Sequence, residues 1–173
     1  MIAWRQKGPL GKLHNILEYI RKTPQREDSF ALFVRRSYPD ETVFTIKVGN
    51  ITRWSGDYES ILRAFRLREA IEEFIREAIR LSKSGERGAS VAALIHDELL
   101  PEDWDMQRCI VEILGPFKEW CSRLQVCHCN GCIADILPAM DDLFNVLEDA
   151  KLRYRAAPEL IPIINNAWMV MDK

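Results

Sequence analysis

Between Tyr58 and Ile79 the apolar residues return every three or four positions, as Tyr58, Ile61, Leu62, Phe65, Ile71, Phe74, Ile75, Ala78 and Ile79. Only a helical backbone gathers such a spacing onto one stripe, because a strand sends successive side chains to opposite faces. Glu69, Glu72, Glu73 and Glu77 fall off the stripe, so the pattern predicts one amphipathic helix from about residue 57 to 83 with an acidic wet side.

The same period recurs in other segments, separated by Pro, Gly and capping residues. Leu10, Leu13, Leu17 and Ile20 define a first helix, and Thr23-Pro24 stops it and starts a second, with Thr as cap and proline in the first turn. The second carries Phe30, Leu32 and Phe33 and fades by Arg36-Ser37. After a glycine-bearing loop at 84–88 and a short segment near 91–96, Leu100-Pro101-Glu102-Asp103-Trp104 reads as a helix start with acids in the first turn. A long stripe follows through Cys109, Ile113, Phe117 and Leu124, with Pro116 expected to kink it. A further helix should turn Ile133, Ile136, Leu137, Met140, Leu143, Phe144 and Leu147 inward, kinked at Pro138, and a last one should bury Ile163, Ile164, Ala167 and Trp168. The fold class expected is all-α: one domain over 1–173, with five to seven kinked helices and no βαβ alternation. Within it, 1–37 is a helical entry, 38–55 is irregular or a short strand pair, and 56–173 is a helical array.

Charge is distributed unevenly. Residues 1–68 hold 13 Lys and Arg against 7 Asp and Glu, while 69–173 hold 11 against 19, so attraction to a polyanion is expected in the first third. No apolar run reaches the roughly 18 to 20 residues that a membrane span needs, and the first residues show no secretory leader. Five cysteines are expected to be thiols in a reducing compartment.

Arg53-Trp54 is the leading functional candidate, since a guanidinium can neutralise a phosphate and an indole can stack on an unpaired base. Equally, Trp54 could anchor the following helix in the core. Arg21, Lys22 and Arg26, with Arg35 and Arg36, could track a phosphate backbone or simply occupy a solvated face. Cys127, Cys129 and Cys132, with His128, offer zinc-type ligands, but all crowd one turn where structural sites draw on two separated pairs, so no metal and no cofactor is expected. The adjacent acid pairs at 97–98, 102–103, 141–142 and 148–149 read as solvated faces and first-turn charges. His14, His96 and His128 stand in no nucleophile motif, and Trp4, Trp104, Trp120 and Trp168 read as core or helix-junction anchors.

Several segments, taken in order, resemble one family. These are Trp4-Arg5-Gln6-Lys7-Gly8-Pro9-Leu10-Gly11-Lys12-Leu13 through Thr23-Pro24-Gln25-Arg26, then Thr52-Arg53-Trp54, Glu102-Asp103-Trp104, Ile113-Leu114-Gly115-Pro116-Phe117-Lys118, Asp135-Ile136-Leu137-Pro138 and Asn166-Ala167-Trp168. Together they resemble DNA transposases of the hAT superfamily, with Ser55-Gly56 where that family has asparagine and serine. The resemblance implies the front of a helical insertion that interrupts an RNase H-like catalytic core. It implies that the three metal-binding carboxylates lie outside the matched stretch, so the chain should not cut DNA by itself. It also implies a nuclear protein and, for Trp54, a role in holding a flipped base while a DNA hairpin forms. The partners expected are DNA, either transposon ends or DNA in general, or else another protein or a second copy if DNA affinity has been lost. No membrane partner is expected.

Overall fold

In the computed structural model the described residues are 6–39, 45, 46, 48, 54–83, 94–126 and 133–171. They form seven α-helices and one 3-10 turn, with no strand among them, so the fold is all-α. The helices are α1 (Pro9–Arg21), α2 (Pro24–Ser37), α3 (Trp54–Arg66), α4 (Arg68–Lys83), α5 (Pro101–Val126), α6 (Ile133–Arg153) and α7 (Ile161–Met171), and the 3-10 turn is Leu94–Asp97. The loop at 84–88 and most of the segment expected to be irregular or stranded fall outside the described residues. Trp54 and Ser55, placed by sequence in that segment, are helical instead. Where the sequence predicts a single domain, the chain groups into two compact units, Met1–Arg108 and Cys109–Lys173.

The first unit holds the larger core. Leu13, Leu17 and Ile20 of the expected α1 stripe are buried, Leu10 is half-buried, and Ile16 joins the core, beside Phe30 and Val34 of α2 and Ala70, Ile71, Phe74, Ile75 and Ala78 of α4. Phe74 is the hub: the rings of Phe30 and Phe33 meet it edge-on, each with centroids 5.6 Å away, and Tyr19 lies tilted at 6.4 Å. Edge-to-face pairs add about 0.5–1.5 kcal/mol each beyond the area they bury. Gly8 caps α1 at φ 64° and ψ −140°, backbone that a side chain resists, and its carbonyl accepts the Lys12 N–H at 3.0 Å. Thr23 takes the cap position of α2 as expected, but only its carbonyl serves the helix; no side-chain cap bond forms.

The single helix expected over 57–83 is two. Leu67 interrupts it, its N–H shared between the Arg63 and Ala64 carbonyls at 3.2 and 3.1 Å, while its side chain is buried in the core. The new helix then begins with the Glu69 N–H donating to the Tyr38 hydroxyl at 3.3 Å. Three long-range bonds pin α1 to the stretch from 97 to 107. Asn15 Nδ2 donates to Asp97 Oδ1 at 3.1 Å, the Lys12 ammonium pairs with Asp103 at 2.6 Å, and Gln107 Nε2 donates to the Pro9 carbonyl at 3.0 Å. Asp97 is fully buried, which corrects its expected place on a solvated face: a partner 82 positions away in sequence holds it inside. Asp103 keeps the expected first-turn role, accepting the Leu100 N–H at 2.9 Å in the manner of a capping box. Trp104 is fully buried against Phe65, as expected of a core anchor.

In the second unit α7 packs on α6, with Phe144 and Trp168 edge to face at 5.9 Å and the Lys151 ammonium 4.2 Å from the Trp168 ring. Pro116 and Pro138 both sit inside continuous helices. The expected inward stripe is only half realised. Leu147 and Ile164 are buried, but Ile136, Leu137, Met140 and Ile163 are exposed.

Candidate functional site

The basic residues read from the sequence fall into two groups at opposite ends of α2, separated by roughly 14 Å along the axis. Arg21 and Lys22, at the end of α1, are exposed, and Arg21 lies 3.9 Å from Glu27. Arg26 is engaged within the fold: its guanidinium stacks 3.9 Å from the Tyr19 ring centroid and Nη1 donates to the Tyr19 carbonyl at 3.3 Å. That carbonyl belongs to the last turn of α1, where helical donors run out, so Arg26 serves as a side-chain cap tying α2 to α1. At the far end of α2, Arg35 is exposed and Arg36 reaches Glu73 at 3.6 Å.

Trp54 is the first residue of α3; Arg53 and the Trp54 side chain lie outside the described residues. Cys127, His128, Cys129 and Cys132 also lie outside them. Among the described residues Cys109 and Cys121 are free thiols, and no group of three or more His, Cys, Asp or Glu is placed to hold a metal ion. No helix among them is long and apolar enough to cross a membrane.

One turn beyond Trp54, a pocket of about 170 Å³ opens between α1 and α3 that the sequence does not announce. Leu10, Leu13 and Ile61 form its apolar floor, and Lys7, His14, Asp57 and Ser60 supply its polar groups. Burial pushes the His14 imidazole below its ordinary value, partly offset by the carboxylates of Glu18 and Asp57. Burial likewise raises the Asp57 carboxyl, against the pull of His14 and Lys7. The two shifts, His14 downward and Asp57 upward, both disfavour the charged form of the side chain. Serine, histidine and aspartate meet here, as they do in hydrolases. Ser60 is 5% exposed and lines the pocket wall with His14 and Asp57. No spacing rule could have found it, because His14 and Asp57 stand 43 positions apart and only the packing of α1 beside α3 joins them.

No protein-family model, no characterised protein and no solved structure matches this chain.

Proposed function

We propose that the chain is a helical nucleic-acid-binding module of a hAT-type DNA transposase, which grips DNA without cutting it. The observation that supports this reading is the Arg53-Trp54 pair of the sequence, whose tryptophan is the first residue of α3, one turn before the Asp57 that lines the pocket. A helix N-terminus offers unpaired backbone N–H groups and a positive dipole end to a phosphate, and the indole offers a face to an unpaired base. Exposed Arg21, Lys22 and Arg35 add charge on the same unit. The ordered motif resemblance supplies the transposase class and, with it, a nuclear setting.

A gel-shift series with hairpin, single-stranded and duplex DNA at two salt concentrations tests the proposal. Salt-sensitive binding that weakens severalfold in Arg53→Ala supports it, as does weaker single-strand binding by Trp54→Ala with helicity intact in circular dichroism. Lost helicity in Trp54→Ala would instead make the indole a core anchor. Magnesium-dependent cleavage would contradict it.

A second reading, a helical protein-interaction module, is favoured by one observation. Among the described residues eighteen buried apolar residues lie in 1–108 and only five in 109–173, where Leu152, Ile163 and Met169 are more than half exposed. Absence of DNA binding together with a concentration-dependent size by light scattering would favour it.

A further inference from the structure

A second pocket, of about 210 Å³, opens between α4 and the segment that leads into α5, wholly within the unit Met1–Arg108. Its floor belongs to the core: Ile16 of α1, Ile71 and Ile75 of α4, and Leu99 are all buried. Arg68, Glu72 and Arg76 stand four residues apart along α4, so they form a row on one wall. Glu98, just before α5, lines the other. Since a cavity of about 150 Å³ accepts benzene, this one has room for roughly eight or nine non-hydrogen atoms.

Two of the four charges are already matched. Arg68 Nε donates to Glu72 Oε1 at 2.7 Å, and the same guanidinium lies 5.1 Å from the Trp104 ring centroid. Arg76 and Glu98 are both exposed, and neither has an ion pair or hydrogen bond with any of the described residues. The rim therefore presents one unmatched guanidinium and one unmatched carboxylate above an apolar floor, with no net charge. A phosphate or a simple carboxylate would be drawn to Arg76 but repelled by Glu72 and Glu98, and an amine would meet the reverse. A molecule with both charges and an apolar group satisfies rim and floor together. A residue within a peptide lacks at least one of those charges, whereas a free amino acid carries both.

We infer that this pocket binds a free α-amino acid with an apolar side chain of about leucine size, its carboxylate on Arg76, its ammonium on Glu98 and its side chain on Ile71, Ile75 and Leu99. The planar fork of an arginine suits the carboxylate because it can grip both oxygens. The site is separate from the Arg53-Trp54 pair and does not depend on DNA binding.

L-leucine is titrated into the full chain by isothermal calorimetry, beside L-serine, 4-methylpentanoate, which lacks the ammonium group, and L-leucinamide, which lacks the carboxylate. Saturable one-to-one binding of leucine is expected, at least fivefold tighter than any of the three. Arg76→Gln should weaken leucine at least fivefold and leave leucinamide unchanged. Glu98→Gln should weaken leucine at least threefold and leave 4-methylpentanoate unchanged. Both side chains are exposed, and circular dichroism checks that the variants remain helical. The analogue series uses the unaltered chain, so it decides even if a variant unfolds. Absence of saturable leucine binding overturns the inference. So does serine or an analogue that binds as tightly as leucine, or an unchanged leucine affinity in either variant.

Discussion

Replacing Arg26 by alanine separates a structural role from a DNA contact. Its guanidinium stacks 3.9 Å from the Tyr19 ring centroid, an arrangement that contributes about 0.5–1 kcal/mol at a half-exposed site. The Nη1 bond to the Tyr19 carbonyl is long at 3.3 Å but charge-assisted and aimed at the negative end of α1, so about 1 kcal/mol is reasonable. Together the loss comes to roughly 1.5–2 kcal/mol, and in a chain of this size each kcal/mol moves the thermal midpoint by about 2–4 °C. Arg26→Ala should therefore lower Tm by roughly 3–8 °C, followed by circular dichroism at 222 nm. Arg26→Lys, which keeps the charge but loses the planar stack, should recover less than half. DNA affinity below the transition should fall less than in Lys22→Ala, whose side chain is exposed. An unchanged midpoint combined with a DNA defect as large as that of Lys22→Ala would refute the capping role and return Arg26 to the phosphate-contacting set.

Other substitutions probe the remaining joints. Gly8→Ala should cost about 1–3 kcal/mol in urea unfolding from backbone strain alone, because an added Cβ would meet no atom within 4 Å. Asp103→Ala removes both the Leu100 N–H cap and the Lys12 pair and should cost about 1.5–3 kcal/mol, more than Asp105→Ala at the exposed position two residues on. For His14, whose folded value lies below the ordinary 6.5, the unfolded chain binds the extra proton first. Stability should thus decline as pH falls through 6.5 and level off below the folded value, and His14→Gln should flatten that part of the profile. Asp57→Asn removes a carboxylate that lines the pocket one turn into α3, so it should strengthen DNA binding about twofold or more in the same titrations.

Local chemistry made much of the fold legible. Pro9, Thr23-Pro24 and Pro101 each stand where a helix starts, and most of the α1 stripe is buried, as its spacing requires. Local chemistry could not reveal the break at Leu67, because leucine continues a helix well; what ends α3 there is the burial of its side chain and the cap that Tyr38 provides. Asp97 reads as solvated beside Glu98 because its partner, Asn15, sits on another helix. The inward face assigned to Ile136 and Leu137, which are exposed, failed for a different reason: periodicity identifies a stripe but not the neighbour that covers it. For the candidate site, residue types pointed to Arg53 and Trp54, whereas the His14–Asp57 pocket and the capping role of Arg26 come only from tertiary packing.

The proposed function, DNA held through a few cationic contacts and left uncut, is tested by one measurement: the affinity for a fluorescent DNA hairpin across a salt series with magnesium present. With Arg53, Arg21, Lys22 and Arg35 as contacts, three or four neutralised phosphates give a slope of log K against log salt of about −3, shallower by about one unit in Arg53→Ala, and the hairpin stays intact. A salt-independent signal, no binding even at low salt, or a cleaved strand would contradict the account.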